Sequence, residues 1–195
     1  MDNELQQRIE EKHKEQNALR VELNELLMQA AAMDVQDYEL TGKEGNTVKL
    51  SEAFGGHDKL VLIHNMGFAC NHCSLWADGF NGLFQHIESG EYEGKKAKFL
   101  FVSNDTPEEQ KAGSLERGWK FDMLSSRGTT LFKDLGFVGT EEEDSWWPGV
   151  STLVKDAGGQ IRRTGKSYFG PGDYYCSMWH LFDLFPQEQG AQAEN

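Results

Sequence analysis

Apolar positions recur at helical spacing at both ends of this chain and in unbroken runs between them. Over residues 3–32, Leu5, Ile9, Leu19, Leu23, Leu26 and Ala30 fall on one stripe among Glu, Gln and Lys, with no Gly or Pro, which predicts one long helix. The stripe turns polar at Lys12 and Gln16. That favours a helix packed by its C-terminal half on the body, or on a second subunit, over an isolated coiled coil. Next, Tyr38-Glu39-Leu40 and Thr47-Val48-Lys49-Leu50 flank Gly42 to Asn46 and predict a hairpin; Ser51 is placed to cap a helical turn through Phe54. Lys59 to His64 and Lys98 to Val102 are short, branched, apolar runs that read as buried strands.

Ser74 to His86 carries Leu75, Trp76, Phe80, Leu83 and Phe84 at helical spacing. Thr106-Pro107-Glu108-Glu109 predicts a helix start: Thr at the cap, Pro at the first position, Glu at the third. Gly118 suits the left-handed residue that ends the same helix. Trp119 to Leu124 predicts a strand and Thr129 to Leu135 a short helix. Ser151 to Lys155 and Gln160 to Thr164 predict a second hairpin, and Asp173 is placed to cap a last helix bearing Tyr174, Met178, Leu181, Phe182 and Phe185. Strand–helix–strand units closed by a hairpin and a helix imply an α/β, thioredoxin-like fold: a central mixed sheet flanked by helices, with an added N-terminal hairpin. The expected division is a helical extension over 1–34, a thioredoxin-like domain over 35–187 and a tail over 188–195.

Length and charge narrow the function. At 195 residues, 38% hydrophobic, with five Trp and twelve Phe, the chain has material for one well-filled core. A net charge of -13 argues against nucleic acid or an anionic membrane as partner. The start of the chain is charged, with no apolar run resembling a signal segment, so a cytoplasmic location is expected. In that compartment cysteines three apart point to catalysis or metal binding before they point to a structural bridge.

Cys70-Asn71-His72-Cys73 lies between the Lys59–His64 strand and the helix that follows. Strand, turn, two cysteines, helix is the setting in which this spacing means redox chemistry. Cys70 at the helix N-terminus would meet free N–H groups and the positive end of the dipole, both of which favour a thiolate. Cys73, one turn further on, would resolve a mixed disulfide at Cys70. His72 sits beside the sulfur as a donor or cation, and Cys70, Cys73 and His72 form the expected catalytic set, with no cofactor and no metal. His64 reads as a core or strand-end histidine, Trp76 and Phe80 as core aromatics, and Asp78 as a solvated surface carboxylate rather than a proton acceptor for Cys73.

Several segments also resemble a known family. Cys73-Ser74-Leu75-Trp76-Ala77-Asp78, Phe101-Val102-Ser103, Arg117-Gly118-Trp119-Lys120-Phe121 and Leu124-Ser125-Ser126 are similar to a bacterial family of predicted thioredoxin-like dithiol–disulfide oxidoreductases, catalogued as a domain of unknown function. Ser74-x-Trp76-x-Asp78 is the most distinctive piece. The Glu/Lys-rich N-terminal helix, Asp37-Tyr38 and Gly149-Val150-Ser151 extend the likeness over nearly the whole chain. The resemblance implies a thioredoxin-like fold, a redox-active Cys70/Cys73 pair, and a protein or small-molecule disulfide as substrate. Two departures from thioredoxin stand out. Phe68-Ala69 replaces the Trp before the first cysteine, and Ser151, with Pro148 three residues earlier, takes the place of the cis-proline that keeps metals off the dithiol and shapes the substrate groove.

Three alternatives accompany this reading. Cys176 and His180, four apart on the last helix, could join Cys70 and Cys73 as a Cys₃His zinc site, although their aromatic, apolar surroundings suit a buried inert cysteine. Peroxiredoxin activity calls for Thr or Ser three residues before the cysteine, where Gly67 stands, and for a supporting Arg. A non-enzymatic redox sensor or interaction protein is the third. The acidic run at 140–144 reads as a solvated loop. The helix stripe predicts a homodimer through Leu19, Leu23, Leu26 and Leu27.

Overall fold

The computed structural model describes residues 3–139 and 146–186; the acidic run and the tail lie outside them. Eight strands form one sheet in the order β1 (Met33–Val35), β8 (Ile161–Tyr168), β7 (Gly149–Lys155), β4 (Lys59–His64), β5 (Lys98–Ser103), β6 (Asp122–Ser125), β2 (Glu39–Gly42) and β3 (Thr47–Lys49). Only the central β4–β5–β6 strip is parallel. Both its faces are covered, which explains the unbroken apolar runs of β4 and β5. Leu60, Leu62, Leu100 and Val102 point to one core with Leu131, Phe132 and Phe137; Ile63, Phe99 and Phe101 point to the other with Trp76, Phe80 and Phe121. The fold is thioredoxin-like, and the β2–β3 hairpin extends the sheet beyond β6.

The helix-start signal at Thr106 is realised. The Thr106 hydroxyl accepts the Glu109 N–H at 3.2 Å, the Glu109 carboxylate accepts the Thr106 N–H at 2.8 Å, and α5 (Pro107–Arg117) ends at Gly118 in the left-handed conformation. Other boundaries moved. The expected Ser74–His86 helix is two: α3 (Asn71–Asn81) and α4 (Phe84–Ser89), separated at Gly82-Leu83. The break lets Phe84 turn into the core against Phe99 and Phe121 and leaves Leu83 exposed. The turn expected to begin at Ser51 is α2 (Leu50–Ala53), capped from Lys49, while the Ser51 hydroxyl donates to Asp37 instead. The strand expected over Trp119–Leu124 begins only at Asp122, and the short helix α6 spans Leu131–Asp134. Strand β1, three residues on the sheet edge beside β8, had no sequence signal of its own.

The helix over residues 3–32 is present as α1 (Asn3–Ala31), and it meets the body at its C-terminal end, beside β8. Only Ala31 is buried. Its carbonyl accepts the Arg163 Nε–H at 2.7 Å, and upstream Leu19 and Leu26 stay 66% and 56% exposed. Among the described residues no helix is long and apolar enough to cross a membrane.

His64 ends β4 inside the first core, stacked on Phe137 at 3.8 Å and edge-on to Phe132 at 5.2 Å. Its Nε2 faces the Ser151 hydroxyl at 3.0 Å, while Nδ1 has no partner among the described residues, so it is a core histidine satisfied on one side. Burial holds its pKa well below the usual value, and the charges of Arg163 and Lys166 push the same way.

Two tests follow from these features. Below about pH 6.5 the unfolded chain takes up a proton at this position and the folded chain does not, so the stability present above that pH is lost on acidification. His64 should contribute up to about 1.4 kcal/mol per pH unit to that slope, and denaturant unfolding of His64→Leu at mildly acid and neutral pH should show a flatter dependence. The bare α1 stripe leads us to expect a homodimer. Light scattering should give twice the chain mass for the full-length protein and a monomer for the Leu23→Glu/Leu26→Glu variant; a monomeric wild type refutes it.

Candidate active site

The C-terminal ends of parallel β4, β5 and β6 share one edge of the sheet, and the chain leaves β4 there to form the loop that carries the cysteines. Asn65 organises that loop. Its N–H donates to the Val102 carbonyl at 2.9 Å, its side-chain Oδ1 accepts the Gly67 N–H at 2.7 Å, and its Nδ2 reaches the Cys73 carbonyl at 3.4 Å. One buried residue, through its backbone and its side chain, thus joins strand, turn and helix.

Cys70 is the N-cap of α3, and its sulfur accepts the Cys73 N–H at 3.3 Å. It is partly exposed, whereas Cys73 is buried and packs inward. Burial pushes the Cys73 thiol up to about 12, with a further push from its hydrogen bond to the Cys70 sulfur, against the opposing effect of the Met66 N–H. The two sulfurs therefore differ in kind: one open at a helix start, the other buried and held as a thiol beside it. All three cysteines are unbridged.

Asp105, which follows β5, is, like Asn65, a residue that sequence reasoning missed. Its carboxylate accepts the Phe68 N–H at 3.3 Å and the Ser103 hydroxyl at 2.7 Å, and the buried Gln110 Nε2 in turn donates to the Ser103 oxygen at 3.0 Å. Burial raises the Asp105 pKa against the Ser103 and Phe68 hydrogen bonds. Gly67 has a φ of +106°, and a Cβ there would lie 2.6 Å from the Asp105 carboxylate. Phe68 lies across α5 at Gly113, where a Cβ would come within 2.2 Å of its ring, and stacks on Trp119 at 5.1 Å. Spacing alone hinted at this: an Asn two residues before a Gly is an Asx-turn pattern, and an Asp just past a strand end sits where sheet-edge sites form.

The remaining candidates separate. His72 lies exposed on the first turn of α3. Trp76 and Phe80 are core residues, and the Trp76 indole donates to Asp173 at 2.8 Å. Asp78 accepts from the Trp119 indole at 2.7 Å and pairs with Arg117 at 3.2 Å, so it ties α3 to the end of α5 and the connection that follows it. Ser151 does not stand at the head of its strand. It lies within β7 opposite Leu62, and Pro148 is the residue just before the strand. The described backbone contains no cis peptide. The last helix is α7 (Ser177–Phe182), capped from Cys176, so Cys176 and His180 do not share a helical face as expected. Asp173 instead closes the preceding turn through the Tyr175 and Cys176 N–H groups, Cys176 is buried in the second core, and His180 Nε2 faces the Asp173 carbonyl at 3.1 Å. Among the described residues no three His, Cys, Asp or Glu side chains are grouped to hold a metal ion.

With this geometry in view, the comparisons with known proteins are informative about fold. The model of the family described as Bacterial protein of unknown function (DUF899) matches residues 3–195. No curated protein matches the chain. Similar solved structures include a cysteine-to-serine mutant of PrxQ from Xylella fastidiosa, 14% identical with a TM-score of 0.57 over 78% of this chain and 94% of that one. Peroxidoxin BcpB from Mycobacterium tuberculosis is 18% identical, with a TM-score of 0.54 over 71% and 84%. Peroxiredoxin Q from Xanthomonas campestris is 16% identical, with a TM-score of 0.53 over 75% and 89%. The shared feature is the thioredoxin-like architecture of peroxiredoxins.

The contact between Phe68 and Gly113 gives a direct test. Gly113→Ala puts a methyl group into the Phe68 ring, so the ring must leave α5 and Trp119. Thermal unfolding should show a loss of about 1–3 kcal/mol, with a change in tryptophan emission; an unaltered midpoint and spectrum would remove Phe68 as the anchor of the cysteine loop.

Proposed function

We propose that this chain, which belongs to the bacterial family of unknown function DUF899, is a thiol–disulfide oxidoreductase that exchanges disulfides through Cys70 and Cys73. The observation that carries the reading is the asymmetry of the two sulfurs: Cys70 partly open at the N-cap of α3, Cys73 buried one turn away and protonated. Exchange needs an accessible thiolate to attack and a second thiol withheld until the mixed disulfide exists.

In the proposed cycle the Cys70 thiolate attacks one sulfur of a substrate disulfide. A Cys70–substrate bond forms, the substrate S–S bond breaks, and the other half leaves as a thiolate. Cys73 then loses its proton to solvent and attacks the Cys70 sulfur, forming Cys70–Cys73 and releasing the second substrate thiolate. Two electrons pass from the dithiol to the substrate, and an external dithiol returns them. Once Cys70 is bonded to substrate it no longer carries the negative charge that helps hold the Cys73 proton, so the second step becomes easier when it is needed. His72, exposed within the motif, supplies a donor or positive charge toward the Cys70 sulfur and favours the reduced form. Asn65 and Asp105 act by holding the loop in place.

Peroxide reduction is the second reading, favoured by the peroxiredoxin-like architecture. Against it, Gly67 stands three residues before Cys70 with positive φ against the Asp105 carboxylate, which leaves no room for a threonine at that position.

The test has a reactivity part and an activity part. Iodoacetamide at neutral pH should label Cys70 and spare Cys73 and Cys176, oxidation should yield a Cys70–Cys73 disulfide on peptide mapping, and Cys73→Ser should trap mixed disulfides that Cys70→Ser does not. Dithiothreitol-coupled insulin reduction should exceed the uncatalysed rate at least tenfold and vanish in Cys70→Ser. Hydrogen peroxide consumption without insulin reduction would replace this reading by the second, and a bridge to Cys176 would refute the assignment of the pair.

A further inference from the structure

At the sheet edge opposite the cysteines, where β4 and β5 begin, the break between α3 and α4 opens a groove of about 780 Å³. That is a size common for small-molecule sites. Its lining includes Leu83, Ile87, Tyr92 and Ala97, with Lys59 and Lys96 among them. Leu83 and Tyr92 are 52% and 71% exposed although the second core lies directly behind α4 through Phe84.

The charges around the groove are sorted. Lys95 pairs with Glu93 at 2.5 Å, His86 with Glu91 at 2.9 Å, and Lys98 with Glu88 and Asp122 at 2.7 Å and 2.6 Å. Lys59 and Lys96 have no carboxylate partner among the described residues. In a chain of 32 acidic against 19 basic side chains, these two ammonium groups border apolar ground without a carboxylate to neutralise them. They leave a site positive at its rim and apolar along its wall.

The geometry points to a binding site for an amphipathic monoanion, an alkyl carboxylate whose chain lies along Leu83, Ile87 and Ala97 and whose carboxylate meets the Lys59 and Lys96 ammonium groups. Burying apolar surface supplies most of the affinity and the lysines supply the sign selectivity. The site is separate from the cysteines and stands whether or not they exchange disulfides.

Calorimetric titration of the full chain with dodecanoate below its micellar range gives the test, with dodecyltrimethylammonium as the cation of equal chain length. One saturable site is expected for the anion and none for the cation. The Lys59→Ala/Lys96→Ala variant, altered only at exposed side chains, should bind about tenfold more weakly, and Leu83→Asp should abolish binding. Equal uptake of both amphiphiles, or an affinity unchanged in the lysine variant, overturns the proposal. So does binding confined to phosphatidylglycerol vesicles with none of free dodecanoate, which would make the groove a membrane contact instead.

Discussion

The structure depends on the burial of β4 and β5 on both faces. Parallel strands in the middle of a sheet leave no solvent side, so Leu60, Leu62, Leu100 and Val102 fill one core while Ile63, Phe99 and Phe101 fill the other. That sandwich sets the level at which β4 ends. A chain leaving so dry a strand must satisfy its polar groups at once, and Asn65 does so by bonding Val102, Gly67 and Cys73 from a single buried residue. The position of the cysteines is therefore a consequence of the core, transmitted through the backbone and side chain of one asparagine.

The same requirement explains the polar cluster beside the loop. Ser103, Asp105 and Gln110 lie where β5 ends and α5 begins, and each meets another of the group or the Phe68 N–H. A carboxylate partly withdrawn from water is destabilised as an anion, and the donors around it oppose that effect without cancelling it. What results is a rigid turn with Gly67 and Phe68 pinned from two sides, the kind of support that keeps a reactive sulfur at a fixed distance from its partner. His64, on the other face of the sheet, is a less settled case: its ring fills space between Phe132 and Phe137, yet only one nitrogen is bonded.

Exposed apolar side chains lie on α1, beside α4 and along α7 to Phe185, and Met66 is exposed in the cysteine loop itself. Most of the α1 stripe upstream of Ala31 is exposed, and the groove beside α4 lies at the far edge of the sheet. Neither is needed to form the site at Cys70. Both are where the chain presents hydrocarbon to solvent, and such surface is retained where something meets it.

Much of this was legible in the chain alone. The α/β class, the buried central strands, the Thr106 capping box, the Gly118 stop and the placing of Cys70 at a helix start all follow from local rules: periodicity, capping geometry and backbone freedom act within a few residues. Tertiary packing decided what local rules cannot. The break at Gly82-Leu83 exists because Phe84 gains more in the core than a continuous helix would. Ser151 went inside β7 because register with β4 sets strand position, and most of the α1 stripe stayed exposed because nothing local says what an amphipathic face will meet. Asp105 stands 37 residues along the chain from the Phe68 N–H it accepts, and Gly113 lies further still. Both reach the cysteine loop only after the intervening chain has folded back, so their roles were invisible until the sheet brought its strand ends together.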